Sequence, residues 1–367
     1  MKVLYLLRYY PALSETFVAN ELGALAAHGV SATVASLGVR ADAALAPPSP
    51  VPVLEVPRRP LSPLLRRTSP GEAALRAWQR PKDARRYAWL RDHLPEVDHV
   101  HVHFAGEAAE WAYALSADHG LPYTVTVHAA DLHRPRPSLT AVLGGARRVL
   151  AVSEHGATLL RALTDTPVDL VRCGPDLTRW NPEPLPAGPL AALFLGRNVP
   201  KKGLPTLVQA WGAGLPDGAT LSLITDPAPA PLPPGVRALG LLRPDEVQRQ
   251  IRAHNLVVLP CQRAPDGDLD GVPLALMEAL ALGRPVLSTT VGGVPELLAQ
   301  DPARPEHSDV GWLVPPEDPA ALRAALIAAT APDARAIRGA GGPARLASRG
   351  FSLEAQVAGV LRAWGSR

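Results

Sequence analysis

The sequence predicts an α/β fold built from two doubly wound, Rossmann-like domains in tandem. Two observations favour this class. Short apolar runs alternate with longer segments of helical periodicity over most of the chain, and the proline-rich residues 181–189 separate two such series. Alternation of this kind is typical of βαβ units, because parallel strands need a crossover helix between them. The length of 367 residues agrees with about two domains.

The first series begins with a buried strand at 3–7 and a helix at 15–28, with Ser14 as its expected N-cap and Gly29 at its end. Apolar runs then mark strands, and segments of helical spacing mark the helices between them. The remaining strands are predicted at 31–37, 100–104, 123–128, 149–153 and 168–172, with helices at 105–119 and 154–163.

Four prolines in residues 181–189 can continue neither a helix nor a central strand, so this segment is interpreted as an interdomain linker. It divides the chain into domains at 1–180 and 190–349, which are expected to face a cleft, and a C-terminal helix at 350–367 is expected to pack back on the first domain. In the second domain, strands are predicted at 191–195, 220–225, 256–260 and 285–288, and helices at 204–211, 245–253 and 273–282.

The composition excludes several classes of protein. Apolar residues make up 47% and charged residues 19%, which excludes a disordered chain, and a net charge of +3 is too small for a dedicated nucleic-acid binder. Two cysteines form neither a disulfide framework nor a zinc site. No apolar run approaches the roughly 18 residues of a membrane span. We therefore expect a soluble cytoplasmic protein.

The loop at 196–203 joins a predicted strand to a predicted helix and contains two of the chain's four lysines. A helix N-terminus offers free N–H groups and a partial positive charge, which suits a diphosphate. Arg197 is expected to make a bidentate contact and Lys202 to act as a point charge. Lys201 is interpreted as a solvated neighbour. The alternative for the whole loop is an ordinary basic surface turn.

A second motif places Asp270 just before an apolar helix and Glu278 inside it. An unpaired buried carboxylate costs several kcal/mol, so Glu278 is expected to have a partner, either a ribose diol or an arginine such as Arg284. The preceding residues, from Asp266, match the first half of an EF-hand. The twelfth position is Met277 instead of glutamate, so calcium binding is rejected.

A third motif, Gly292-Gly293-Val294-Pro295-Glu296, lies between a strand and a short helix, where glycines permit close backbone approach. In order and separation, the three motifs together resemble the nucleotide-binding domain of the retaining glycosyltransferases of family four. That resemblance implies the two-domain GT-B architecture with a nucleoside-diphosphate sugar as substrate. No metal or other cofactor is expected, because two cations and a helix end would replace it.

The resemblance also implies roles for individual residues. Glu278 is expected to bind the ribose, and Asp270 to face the donor sugar as a catalytic residue. The family usually has glutamate where Asp270 stands, so the reach of this side chain and the choice of donor stay open. The diphosphate contacts implied by the resemblance come from Arg197, Lys202, Gly271, Val272 and Pro273.

In the first domain, residues 10–17 are similar to the opening of the exopolysaccharide branch, which includes the colanic-acid glycosyltransferases. Ser14 and Thr16 are candidates for acceptor or phosphate contacts, and simple helix capping is the alternative for Ser14. His128 ends a strand where the family often has His-Gly-x-Asp, so it is the candidate for polarising the sugar or the leaving group. Asp131 completes that motif.

His99, His101 and His103 share one face of a strand, and a His-x-His pair can chelate zinc. No third ligand is evident, so the structural interpretation is favoured. Residues 58–91 carry a net charge of +8 with interleaved aromatic residues. Anionic lipid headgroups would attract such a segment as a peripheral membrane contact, and a solvated arginine-rich helix is the alternative.

These observations predict an enzyme that transfers a sugar from a nucleoside-diphosphate donor to an acceptor hydroxyl with retention of configuration. The acceptor is a saccharide, a lipid-linked saccharide or a small molecule, and no nucleic acid is involved. Two alternatives stay open. One is a non-catalytic sugar-nucleotide binder that recruits a partner, and the other is a different GT-B enzyme such as a sugar-nucleotide epimerase.

Overall fold

The computed structural model describes residues 1–59, 69–79, 81–302, 304 and 307–365. The chain divides into two compact units, Met1–Val171 with Glu354–Arg367, and Arg172–Leu353. Each unit is a parallel sheet whose consecutive strands are mostly joined by helices. The predicted class of two doubly wound α/β domains is therefore confirmed. Within the described ranges, no helix has the length and apolar character needed to cross a membrane.

The described part of the first unit contains a seven-stranded parallel sheet in the order β3-β2-β1-β4-β5-β6-β7. From β1 the chain adds β2 and β3 toward one edge of the sheet. It then returns, and β4 pairs with the opposite side of β1. In such sheets ligands bind at the carboxyl ends of the strands where the order reverses, here β1 and β4. The strands are β1 Lys2–Leu7, β2 Ser31–Ser36, β3 Val53–Glu55, β4 His99–His103, β5 Tyr123–Val127, β6 Arg148–Ala151 and β7 Val168–Leu170.

The second unit repeats this order, with six described strands arranged β10-β9-β8-β11-β12-β13. The order reverses between β8 and β11, which makes their carboxyl ends the equivalent binding edge. The strands are β8 Ala191–Leu195, β9 Thr220–Ile224, β10 Val236–Ala238, β11 Leu256–Leu259, β12 Val286–Thr289 and β13 Gly311–Val314.

Helices connect most of these strands. In the first unit they are α1 Thr16–Ala27, α2 Pro70–Trp78, α3 Pro81–Asp92, α4 Glu107–His119, α5 Ala129–His133, α6 Leu139–Gly145 and α7 Glu154–Arg161. The rest are α8 Leu204–Gly212, α9 Pro244–Ala253, α10 Leu274–Ala281, α11 Val294–Leu298, α12 Pro319–Ala328, α13 Pro332–Ala340, α14 Gly342–Ser348 and α15 Leu353–Trp364.

The central strands form because their apolar runs are covered on both faces, as parallel sheets require. In β11, for example, every residue is fully buried. Sequence periodicity located these strands to within a residue or two. It missed β3, β10 and β13, which are three or four residues long and lie at sheet edges. An edge strand is covered on fewer sides, so its sequence carries a weaker apolar signal.

The segment at 181–189 lies against the second unit. The guanidinium of Arg284 donates a hydrogen bond of 2.8 Å to the carbonyl of Glu183, and the Asn255 amide donates one of 2.9 Å to that of Pro189. The second unit ends in the sequence at Leu353, and the residues from Glu354 onward belong to the first unit. There the indole N–H of Trp364 donates to the Thr124 hydroxyl over 3.0 Å.

Candidate functional site

The three loops with the predicted donor motifs follow β8, β11 and β12, which are neighbours in the second sheet. Because parallel strands end at a common edge, the fold brings these loops together. The closest link is between Lys202 and Asp270, whose charged atoms lie 2.7 Å apart. Two motifs that are far apart in the sequence therefore form one cluster in the structure.

The loop after β8 needs a glycine at its end. Residues Pro200–Lys202 form a 3-10 turn, and Gly203 has a φ of +65° before α8 begins at Leu204. A Cβ on Gly203 would lie 1.9 Å from the carbonyl oxygen of Pro260, which follows β11. Only glycine fits both the left-handed backbone and this contact. The close approach fixes the cationic turn against the loop after β11.

Lys201 is buried, and the interpretation of this residue as a solvated neighbour is wrong. Its ammonium lies 3.1 Å from a carboxylate oxygen of Asp268 and 3.4 Å from one of Asp270. A buried ammonium is tolerated only when it is paired, and two carboxylates provide that pairing. Lys201 therefore ties the turn after β8 to the acidic loop. The Asp268 carboxylate, part of the EF-hand-like sequence, is used in this contact.

The electrostatics of Lys202 and Asp270 depend on each other. Burial disfavours the charged form of Lys202, but the adjacent Asp270 outweighs it and raises the pKa of the ammonium. Burial likewise opposes ionisation of Asp270, and the two lysines outweigh it and lower the pKa of the carboxyl. Burial raises the pKa of the neighbouring Cys261 thiol, whose sulfur lies 3.5 Å from Asp270. These shifts favour a charged Lys202, an ionised Asp270 and a neutral Cys261 thiol.

Arg197 precedes this turn and is exposed. Its guanidinium has no hydrogen-bond or ion-pair partner among the described residues. It lies close enough to Lys202 for its charge to oppose protonation of the lysine. An exposed guanidinium beside a second cation is suited to a dianionic group, which would relieve the repulsion between the two.

Glu278 lies on α10, partly buried. Burial alone raises the pKa of its carboxyl to about 8. No hydrogen-bond or ionic partner for it is found in the described part of the chain. Arg284, the expected alternative partner, donates instead to the carbonyls of Glu183, Leu282 and Arg252. The carboxylate is therefore left for a partner outside the fold.

The loop before α10 is packed by the double glycine after β12. A Cβ on Gly292, whose φ is +59°, would lie 2.3 Å from the carbonyl oxygen of Asp270, and the Gly293 N–H donates to the carbonyl of Gly271 over 3.2 Å. Pro273 is the N-cap of α10 and offers no side-chain hydrogen bond. The first N–H groups of this helix, next to Val272, are thus left without a capping side chain.

In the first unit, Ser14 and Thr16 follow β1, at the equivalent edge. Ser14 is exposed in a 3-10 turn at Leu13–Glu15, and α1 begins at Thr16 without a side-chain cap. The expected capping by Ser14 is therefore wrong, because the turn displaces the start of the helix by one residue. Neither hydroxyl has a hydrogen-bond partner among the residues that the structure describes.

His128 directly follows β5 and is partly exposed. Its Nε2 lies 3.2 Å from Nδ1 of His103, the last residue of β4. The ring is stacked on Phe104, with centroids 4.2 Å apart. Burial, with a smaller contribution from His103, lowers the pKa of His128 well below its ordinary value. Phe104, whose ring lies against His128, has a φ of 70°, a backbone conformation that a bulky residue rarely adopts.

Asp131 supports the backbone of His128. Its Oδ2 accepts a hydrogen bond of 2.9 Å from the N–H of His128. Burial raises the pKa of the Asp131 carboxyl to about 6 despite hydrogen bonds from the N–H groups of His128 and Ala105. The described contacts therefore assign Asp131 to the start of α5, and they show no partner that would direct it to a substrate.

The three histidines of β4 are buried and hydrogen-bonded. His101 contacts the hydroxyls of Thr124 and Thr126, and His103 lies 3.1 Å from Oε1 of Glu21 on α1. The ligand atoms of Glu21, His101 and His103 lie within 4.8 Å of one another. The expectation that no third ligand accompanies these histidines is thus wrong, because α1 places a carboxylate over β4.

Sequence reasoning missed Glu21 although a signal was present. Glu21 lies between Val18, Ala19, Leu22 and Leu25, which are all buried on the same helix. The argument applied to Glu278, that a carboxylate in an apolar helix needs a partner, applies equally here. Lys201 and Cys261 were also missed, and no sequence pattern distinguishes them from solvated or core residues.

The basic segment at 58–91 is only partly described, since residues 60–68 and 80 lie outside the described residues. In the remainder, Arg86 is buried and donates to the carbonyl of Pro57, and Arg91 is paired with Glu72 at 2.8 Å. Tyr87 is buried as well. Several of the charges and aromatic rings counted in this segment therefore serve the first unit internally.

Two parallel sheets of the same strand order, each with polar side chains at its reversal point, define a protein of the class with two doubly wound α/β domains. A family model described as "Glycosyltransferase Family 4" matches residues 14–179, and one described as "Glycosyl transferases group 1" matches residues 189–331. Together the matches cover most of the chain. It belongs to glycosyltransferase family 4 and has the GT-B architecture.

Two relatives are named for exopolysaccharide biosynthesis. The colanic acid biosynthesis glycosyltransferase WcaL of Escherichia coli is 34% identical over 43% of this chain, and the amylovoran biosynthesis glycosyltransferase AmsK of Erwinia amylovora is 34% identical over 38%. The matched segments cover only 40% and 35% of these relatives. The structure of Anabaena Alr3699/HepE in complex with UDP-glucose is similar to this chain, with a TM-score of 0.77 and 17% sequence identity. The match covers 99% of this chain and all of that one, and at this identity it shows a similar fold.

Proposed function

We propose that the protein is a retaining glycosyltransferase that moves a sugar from a nucleoside-diphosphate donor to an acceptor hydroxyl in polysaccharide or glycoconjugate biosynthesis. The observation that supports this most strongly is the partnerless carboxylate of Glu278 on α10, the helix that follows the Lys202–Asp270 cluster. A ribose diol next to a diphosphate would satisfy both features. The names of the exopolysaccharide relatives support the same reading.

In this proposal the second unit binds the donor. Arg197 and Lys202 contact the diphosphate and stabilise the charge that grows on it as the glycosidic bond breaks. The uncapped N–H groups of α10, beside Gly271, Val272 and Pro273, are suited to its oxygens. Lys202 would exchange part of its contact with Asp270 for the phosphate.

Glu278 accepts hydrogen bonds from the ribose hydroxyls in this proposal. Those bonds favour the ionised carboxylate, so donor binding lowers a pKa that burial holds near 8. Asp270 is proposed to face the donor sugar while it stays paired with Lys201 and Lys202. In the first unit, His128 is proposed to contact the reacting sugar, and Ser14 and Thr16, whose hydroxyls have no partner in the described chain, to contact the acceptor or a phosphate.

We further propose that no metal or other cofactor is required, because two cations and a helix N-terminus supply the positive charge. The acceptor is proposed to be a saccharide, free or lipid-linked, or a small molecule. A cytoplasmic location with peripheral contact of residues 58–91 to an anionic membrane is proposed as well. Co-sedimentation with anionic vesicles, and none with neutral ones, tests that contact.

The test of the function is a thermal-shift screen of nucleoside diphosphates and their sugars, beginning with UDP-glucose because HepE binds it. The correct donor raises the melting temperature, and the rise grows with the logarithm of the ratio of the donor concentration to its dissociation constant. The protein is then incubated with that donor and its products are analysed. An enzyme releases the nucleoside diphosphate slowly by hydrolysis, and faster with a suitable acceptor.

The two alternatives give different products. A non-catalytic binder shows the thermal shift but releases no nucleoside diphosphate over the background of the donor alone. An epimerase converts the sugar without an acceptor. Either result would overturn the proposal, and so would the lack of any thermal shift across the screen.

A further inference from the structure

A chain of hydrogen-bonding side chains runs from the interior of the first unit to His128. We define the histidine relay as Glu21, His103 and His128. The Oε1 of Glu21 lies 3.1 Å from Nε2 of His103, and Nδ1 of His103 lies 3.2 Å from Nε2 of His128. Glu21 and His103 are buried, with exposures of 1% and 2%, whereas His128 is partly exposed. The relay therefore connects a buried carboxylate to an imidazole that reaches the surface of the unit.

The carboxylate end of the relay is ionised. Burial alone would raise the pKa of Glu21, but His103, His101 and the Tyr5 hydroxyl outweigh burial and lower it to about 2. An ionised carboxylate accepts hydrogen bonds and donates none. Its Oε1 accepts from the Tyr5 hydroxyl over 2.6 Å, and its Oε2 accepts from the Gln356 amide. His103 must accordingly donate to Glu21 from Nε2.

The donor and acceptor roles in the Glu21–His103 hydrogen bond determine those in the His103–His128 hydrogen bond. The proposal below requires that His103 carry a single proton, which is then on Nε2 and leaves a lone pair on Nδ1, because a doubly protonated His103 would donate from both nitrogens and reverse the tautomer of His128. His128 must then donate from its own Nε2, which leaves the lone pair of His128 on Nδ1. The neutral form of His128 is the relevant one, because burial strongly disfavours its charged form. Stacking against Phe104 and a tilted contact with Phe17, whose ring centroid lies 5.2 Å away, restrict rotation of the ring.

We propose that Glu21 and His103 are positioning residues that hold His128 as the Nε2–H tautomer, so that it offers Nδ1 as a hydrogen-bond acceptor to a sugar hydroxyl. The role of His128 toward a sugar rests on the proposed function. The tautomer itself rests only on the geometry of the first unit. It follows that His128 orients a hydroxyl by accepting its hydrogen bond and does not donate a proton to the leaving diphosphate.

A bound metal ion is the main competing explanation for this cluster, since Glu21, His101 and His103 lie close enough to share one. Their hydrogen bonds favour the relay. Both ring nitrogens of His101 face threonine hydroxyls, and both nitrogens of His103 face relay members. The polar atoms are therefore satisfied by the protein. A stoichiometric metal in the purified protein, lost in Glu21→Gln, would overturn the proposal.

The tautomer is measured by long-range ¹H–¹⁵N NMR of the full-length protein labelled with ¹⁵N-histidine at pH 8. His128→Ala identifies the His128 signals. The wild type is expected to show a protonated Nε2 and an unprotonated Nδ1 on His128. In His103→Phe and in Glu21→Gln the signals are expected to move toward a mixture of tautomers. In His103→Gln they stay near the wild-type positions, because an amide can donate to Glu21 and accept from His128.

An Nδ1-protonated His128 in the wild type would overturn the proposal, as would unchanged His128 signals in both Glu21→Gln and His103→Phe. If His103→Phe does not fold, Glu21→Gln and His103→Gln still decide the matter, because both keep polar side chains of similar size. None of these spectra depends on turnover. A protein without glycosyltransferase activity can therefore still confirm or refute the relay.

Kinetics give the second measurement once a donor and acceptor are known. We expect kcat to fall about tenfold or more in Glu21→Gln and His103→Phe, and KM for the donor to stay within about twofold, since only a group acting on the reacting hydroxyl is misaligned. His103→Gln should restore most of kcat. A purely structural role would instead lower the melting temperature and leave kcat per folded molecule unchanged, and it would refute the relay.

Discussion

The two units have the same strand order around their reversal points but differ in how one carboxyl group near that point is partnered. In the first unit, the carboxylate of Glu21 accepts hydrogen bonds from a tyrosine, a histidine and a glutamine of the same unit. In the second, Glu278 has no partner among the described residues, and Arg197 has none either. Glu21 is satisfied within its own unit, whereas Glu278, which burial keeps protonated below about pH 8, and Arg197 have no partner in the described chain.

This difference indicates where binding and where positioning reside. A sheet edge with an unpartnered guanidinium and an unpartnered carboxyl group is suited to a ligand with both phosphates and hydroxyls. A sheet edge with a satisfied network holds one side chain, His128, in a defined state. The shared fold alone would not separate these roles. The predictions below change one edge at a time.

The largest expected effect is on transfer in Arg197→Ala. If Arg197 stabilises the leaving diphosphate, kcat/KM should fall about 100- to 1000-fold, as when a single transition-state contact is lost. The melting temperature should stay within about 2 °C, because the side chain is exposed and has no partner in the described structure. Steady-state transfer and thermal unfolding are the measurements.

Arg249→Ala is the matched control for that prediction. Arg249 is also an exposed arginine of the second unit, with an ion pair to Asp245 at 2.9 Å on the surface of α9. It should keep wild-type transfer. Equal rates for Arg197→Ala and Arg249→Ala would remove Arg197 from the site and break the contrast between the two edges.

Lys201 and Lys202 allow the binding role to be separated from the structural one. Lys201→Met removes the cation between Asp268 and Asp270 and should lower the free energy of unfolding by about 3 kcal/mol, as for one partner of a buried ion pair. Lys202→Met should weaken nucleotide binding by about tenfold and cost less stability, since Asp270 keeps Lys201. Urea denaturation and titration calorimetry measure the two effects. The reverse pattern, with Lys201→Met the weaker binder and Lys202→Met the less stable variant, would exchange the two roles.

The sequence predicted much of the donor edge because its signals are local. Arg197, Lys202, Asp270 and the double glycine lie at fixed positions after apolar strands, so the carboxyl-edge rule brings them together. The role of Lys201 could not be predicted, because its burial results from the approach of Gly203 to Pro260, a contact across two loops.

The histidine relay was hidden for a related reason. His103 ends β4 and His128 follows the neighbouring β5, a pairing that the sequence did not show, and α1 had to cross over β4 before Glu21 could reach His103. Helix placement over a sheet depends on packing and is not encoded in periodicity. The start of α1 shows the same limit, since a 3-10 turn removed Ser14 from the capping position.

A smaller effect is expected on the pH dependence of stability. Burial raises the pKa of Glu278 from 4.5 to about 8, so the folded protein retains a proton that the unfolded chain releases between these values. The free energy of unfolding therefore falls as pH rises through this window, by at most about 1.4 kcal/mol per pH unit. Glu278→Gln should remove the part of this decline that Glu278 causes and be more stable than wild type at pH 8, while Asp131, whose pKa burial raises to about 6, keeps its own part.

Urea denaturation from pH 4.5 to pH 8 measures this slope. Glu354→Gln, which changes an exposed carboxylate on α15, is the control and should keep the wild-type slope. A saturating donor should lower the pKa of Glu278 and make the wild type regain stability at pH 8. An unchanged slope in Glu278→Gln would mean that Glu278 has a partner after all, and the two edges would then differ less than proposed.

The smallest expected effect is that of metal removal. Transfer by protein dialysed against EDTA should stay within about twofold of untreated protein, because lysine, arginine and a helix N-terminus replace a metal at the leaving group. Assays with EDTA and with added Mg²⁺ or Zn²⁺ measure this. If EDTA does lower transfer activity, the two units can be compared to find where the metal was bound. In the described residues, the group able to hold a metal lies in the first unit, at Glu21, His101 and His103. If Zn²⁺ restores activity in the wild type but not in Glu21→Gln, the ion binds at this group and the relay is overturned. The proposed binding of the diphosphate by Arg197 and Lys202 without a metal would be unaffected.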